Sequence, residues 1–113
     1  MASGQLWTST LSAGGTGTTT YVVPNTTYSV FNVSFTNTST TTAAQIRLYI
    51  GASTGASPVP SEAIEYGTTI APGGVFERTG LVLSSTGSAK NVVCYASTAT
   101  VNVNIYGIET STS

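Results

Sequence analysis

The chain predicts an all-β fold: an antiparallel β-sandwich of about eight strands, jelly-roll-like, with a small barrel as the other closed form. Three observations point there. Thr, Val, Tyr and Ile dominate the 113 residues, and branched and aromatic side chains favour the pleated strand. Apolar and polar residues alternate with period two in three stretches. Turn-forming clusters of Gly, Pro, Asn and Ser recur at short intervals.

Taken in order, strands are expected near residues 4–11, 18–23, 28–37, 43–51, 61–67, 75–83, 90–97 and 100–109. "AGGTG" (13–17) separates the first two and "VPNTT" (23–27) turns the chain into the third. In "SVFNVSFTN" (29–37), Phe31, Val33 and Phe35 share one face. In "AQIRLYIGA" (44–52), Ile46, Leu48 and Ile50 do the same, with Arg47 and Tyr49 opposite. A Pro-containing loop, "GASTGASPVP", leads to "PSEAIEYGT", which reads as an acidic edge strand. "APGG" and "SSTGS" bracket the sixth strand, "VFERTGLVL". In the last, Val101, Val103 and Ile105 oppose Asn102, Asn104 and Tyr106. The three apolar triplets with Val75, Leu81, Leu83 and Val93 form the expected core. One domain spans 1–113, with residues 1–12 as a candidate N-terminal arm and 110–113 as a polar tail.

Composition narrows the function. Only 6% of residues are charged and the net charge is −1, where about a quarter charged is usual. Ser and Thr, about a third of the chain, take that place. Three basic residues, Arg47, Arg78 and Lys90, are too few for a nucleic-acid surface, and no apolar run approaches the ~20 residues of a membrane span. A net charge near zero favours association. The N-terminus reads without a signal peptide, and the single Cys94 permits no intrachain disulfide, which fits folding in a reducing cytoplasm.

Chemistry is short of parts. Histidine and aspartate are absent, which removes the commonest general base and metal ligand. A calcium site built on carbonyls and Glu has no spacing to suggest it. Glu62 and Glu65, three apart on a strand, face opposite ways and cannot converge as a glycosidase pair. "SAGGTGTTT" lacks the lysine of a phosphate-binding loop. Cys94 reads as a small hydrophobe in a strand. Three N-x-S/T sequons begin at Asn25, Asn32 and Asn37 and are attributed to the abundance of Thr. The expectation is a non-enzyme with no cofactor, no metal, and no nucleic-acid or membrane partner.

Candidate contact residues are Trp7, Arg47, Tyr49, Glu77, Arg78 and Tyr106. Tyr49 and Tyr106 lie on the polar faces of their strands. With Trp7, they are candidates for a protein interface, for stacking on sugar, or merely for covering a sheet edge. Glu77 and Arg78 are neighbours in an apolar strand and cannot pair with each other when extended. If Val75 and Leu81 face inward, alternation turns Glu77 inward too. Either Gly80 marks a bulge, or Glu77 meets Arg47 or another subunit. At least one of the two is expected at a subunit contact.

The segment order in "YVVPNTTYSVFNVSFTNTSTTTAAQIRLYIG" and "EAIEYGTTIAPGGVFERTGLVLSSTGSAKNVVCYASTATVNVNIYGIE" resembles small all-β structural proteins of tailed bacteriophages, including cyanobacterial phages, over roughly residues 20–109. The resemblance implies a virion protein assembled in the host cytoplasm, a homotrimeric capsid decoration (cement) subunit bound to the major capsid protein. The alternatives it leaves open are a tail, neck or fibre component contacting tail proteins, or a carbohydrate-binding adhesin module.

Overall fold

The computed structural model describes residues 3–11, 18–52, 59–85 and 91–111. The strands are β1 (Ser3–Thr10), β2 (Thr18–Val22), β3 (Thr27–Asn37), β4 (Ala44–Gly51), β5 (Ala63–Ile70), β6 (Val75–Ser84), β7 (Asn91–Ala96) and β8 (Val101–Ser111), with one 3-10 turn, Pro60–Glu62, before β5. They pair as a nested antiparallel set: β1 with β8, β2 with β7, β3 with β6 and β4 with β5. Two further pairings, β3 with β8 and β4 with β7, close this set into two sheets. One has the order β1-β8-β3-β6 and the other β2-β7-β4-β5. Four nested pairs wrapped into facing sheets make a jelly roll. Strands β1, β3, β5 and β7 finish at one end. Strands β2, β4 and β6 finish at the other, where β3 begins and β8 finishes.

The alternating triplets do what their spacing demands. Phe31, Val33, Phe35, Ile46, Leu48, Val101, Val103 and Ile105 are buried between the sheets with Leu11, Tyr21, Val23, Ile70, Leu83, Val92, Cys94 and Ala96. Ile50 and Leu81 pack on this cluster half-buried. Val93 is buried too, but outside the cluster, beside its cross-strand partner Tyr49. Gly107 faces Phe31 on the inner side. A Cβ there would come 2.1 Å from the Val30 carbonyl and 2.6 Å from the Phe31 Cα, so only glycine lets β8 and β3 approach this closely.

Val75 departs from the expected core: it is 62% exposed. The cause is the bulge raised as one resolution of the "VFERTGLVL" problem. Phe31 pairs with Leu81 but Val33 pairs with Arg78, so Thr79 and Gly80 together oppose Asn32. Gly80 takes a φ of +71°, accessible to glycine without a Cβ clash, and its N–H donates to Asn32 Oδ1 at 3.0 Å. The extra residue inverts the inward set. Phe76 packs on the core and Glu77 faces out with Val75.

The chain ends also differ from the expectation. Residues 3–10, considered as an arm, form β1 on the edge of the first sheet, paired to β8. Thr110 and Ser111, expected in the polar tail, continue β8, opposite Tyr28 and Thr27. Residues 1–2 and 112–113, and the loop carrying Lys90, lie outside the described residues.

Three polar groups tie the sheets. Asn37, fully buried, donates through Nδ2 to the carbonyls of Thr42 (2.8 Å), Ile70 (3.2 Å) and, at the longest distance, Ala71 (3.5 Å). Its Oδ1 accepts from the Ser39 N–H (3.1 Å) and the Thr100 hydroxyl (2.9 Å). One side chain thus joins the loops after β3, β5 and β7, and its amide is committed to the fold. At the opposite end the Tyr21 hydroxyl of β2 bridges to Ser29 on β3, at 2.6 Å, and to Glu109 on β8. Burial, then the Glu109 hydrogen bond, pushes the Tyr21 phenol up to about 12. On the lateral edge Arg78 of β6 pairs with Glu65 of β5, and Glu65 also accepts from the Thr68 hydroxyl at 2.8 Å.

Candidate functional site

Both inner faces are spent on the core, so contact with anything else falls to the two outer faces and the loops. The outer face of the β1-β8-β3-β6 sheet has two halves. Toward the loop after β3 it is a polar ladder. The Thr10 hydroxyl donates to Asn102, and the Gln5 amide to Asn104 at 3.3 Å. Tyr106 donates to Glu77 across β3. The Glu77 bond and the adjoining negative charge raise the Tyr106 pKa above its ordinary value.

Toward the chain termini the same face is apolar. Val30 on β3 sits opposite Val82 on β6 and Ile108 on β8. These three are 44%, 65% and 58% exposed, and Tyr28 lies beside them, also exposed. Strands stand about 4.8 Å apart, so the row forms a continuous apolar bar about 10 Å long. Scattered surface valines need no explanation, whereas a contiguous row on a rigid sheet is a candidate contact surface.

The other sheet presents different chemistry. Arg47 on β4 lies directly opposite Tyr95 of β7 on one side and Tyr66 of β5 on the other. Its guanidinium carbon stands 4.2 Å from the Tyr66 ring centroid and 4.6 Å from that of Tyr95, well inside cation–π range. Tyr66 is in line because β5 carries an extra residue at Gly67, whose φ is +86°. Tyr49 lies beneath, edge-on to Tyr66 with centroids 6.5 Å apart. Burial works against the Arg47 charge; the Tyr49 hydrogen bond and the neighbouring phenols outweigh it and raise the pKa above the usual arginine value.

The structure therefore sorts the six candidate contact residues. Arg47 stands in the tyrosine row. Tyr49 is not an exposed aromatic: it is 3% exposed, covered by Tyr66. Glu77 and Tyr106 hold each other on the polar half of the opposite sheet. Arg78 is bound within the chain by Glu65, on the edge where β5 and β6 meet. Trp7 packs half-buried on the core beside Leu6, where β1 shifts register against β8. Val30, Val82, Ile108, Tyr66 and Tyr95 were not singled out from sequence. Alternation marks Val30 and Ile108 as outward apolar residues on otherwise polar faces, and that signal was available.

No group of three or more metal-ligating side chains occurs among the described residues, and no helix among them is long and apolar enough to cross a membrane. Comparison with family models, curated proteins and solved structures found no match to this chain.

Proposed function

We propose that the chain is a structural subunit of a bacteriophage virion, a homotrimeric decoration protein that stabilises the capsid shell. The observation that carries this reading is the Val82–Val30–Ile108 row, an apolar bar on the outer face of a rigid sheet in a chain of net charge −1. Burying three half-exposed aliphatic side chains contributes on the order of 1 kcal/mol each, and little like-charge repulsion opposes the approach of copies. The jelly roll suits this work and is a recurrent architecture of viral coat and lectin domains, although architecture alone assigns no function. The segment order resembling small phage structural proteins supplies the virion context.

Here the row meets other copies. Immunogold labelling of phage particles that carry the chain tests the assignment. Label distributed over the capsid is expected. Label confined to the tail would replace decoration by a tail role, and unlabelled particles would end the virion reading.

A further inference from the structure

Among the described residues, Arg47 is a charge without a counter-charge. Arg78 has Glu65, whereas Arg47 has no ion pair with a carboxylate among the described residues. Its guanidinium is nevertheless held in place, between the rings of Tyr66 and Tyr95. A guanidinium carries five N–H donors in one plane. Rings flanking it leave the in-plane, outward edge for a partner, and the partner that fits a planar fork is a carboxylate bound through two parallel hydrogen bonds. Because the side chain is already ordered, a ligand meets little of the usual cost of immobilising a long arginine.

Two further features narrow the ligand. Tyr66 is 58% exposed and one face of its ring is covered by the guanidinium, so a rigid ligand that places a carboxylate on Arg47 also lays an apolar face across the exposed edge of that ring. A pyranose does this with the C–H face of its ring; an acidic peptide side chain, on a flexible stem, offers no such face. The chain has only three basic residues, so no track of charge exists for a polyanion, and the site takes one carboxylate at a time. We propose that the Tyr95–Arg47–Tyr66 row on the outer face of the β2-β7-β4-β5 sheet binds a carboxylated sugar, a uronic-acid or similar acidic residue. Arg47 takes the carboxylate and Tyr66 the ring. This site is on the sheet opposite the apolar row and does not depend on the virion reading.

Titration of the isotopically labelled full chain with methyl glucuronoside, followed by amide chemical shifts, tests it. Shifts centred on residues 47, 66 and 95 are expected. Methyl glucoside should bind at least about tenfold more weakly, the loss that follows from removing one charge-assisted contact. Arg47→Lys, which keeps the charge but loses the fork, should weaken the glucuronoside about tenfold, and Tyr66→Ala should do so with the rest of the spectrum unmoved. Equal binding of the two glycosides, shifts centred elsewhere, binding of neither, or an acetylated glutamyl peptide binding as tightly as the glucuronoside would each overturn the proposal.

Discussion

Replacing Asn37 with alanine removes the one side chain that joins three loops at the same end of the sandwich. Five hydrogen bonds go with it, at 2.8, 3.2, 3.5, 3.1 and 2.9 Å. The Ile70 carbonyl is the most deeply placed of the partners and has the least access to replacement water. A buried group left without its partner costs about 1–3 kcal/mol, while one that recruits water costs less. With one deep and four part-buried partners, the longest of which contributes little, the loss comes to about 3–4 kcal/mol, a large fraction of the 5–15 kcal/mol that holds a typical domain. At roughly 4 °C per kcal/mol for a chain of this size, the melting temperature falls by about 12–16 °C. Urea unfolding with the slope held common between variants measures the difference directly. Thr100→Val, which removes a single one of the five bonds, should cost about 1 kcal/mol. An Asn37→Ala variant within about 1 kcal/mol of the parent would refute the claim that this residue holds the loop end together.

Gly107→Ala forces a methyl onto the Val30 carbonyl and should destabilise by about 3 kcal/mol through backbone displacement, read by the same unfolding assay; a neutral result would show that the two strands can part without cost. Arg78→Gln should cost no more than about 1 kcal/mol, since a partly exposed pair is screened by water and salt, and the cost should shrink as salt is raised in thermal unfolding. Tyr21 has its phenol raised in the folded state from 10 to about 12, so its stabilising contribution is complete below pH 10 and is lost as pH rises toward 12. Unfolding free energy should fall across that window, and the Tyr21→Phe variant should lose this component of the fall.

Much of the architecture was legible because a strand announces itself locally. Period two and the turn clusters located all eight strands to within a few residues, and Phe31, Val33 and Phe35 behave as their alternation requires. Partner choice was not legible. The nested pairing that makes the jelly roll joins β1 to β8 across nearly the whole chain, and nothing in either segment names the other. Bulges account for the local errors. Val75 was counted inward because the count ran straight through Gly80, and Tyr66 could not be aligned with Arg47 without knowing that Gly67 adds a residue to β5. Asn37 stood in the sequence as one of three sequons, and its five partners come from segments that only the closed sandwich brings together. The pairing of Arg78 with Glu65 was missed for the same reason: two edge strands of different sheets meet there.

The central claim is that the apolar row on the β1-β8-β3-β6 sheet drives assembly. Sedimentation equilibrium of the chain over a range of micromolar concentrations, beside the Val30→Glu/Ile108→Glu variant, tests it most directly. The account predicts a species of three times 11.5 kDa for the parent and a folded monomer for the variant. A parent that stays monomeric throughout, or a variant that assembles equally well, would contradict it.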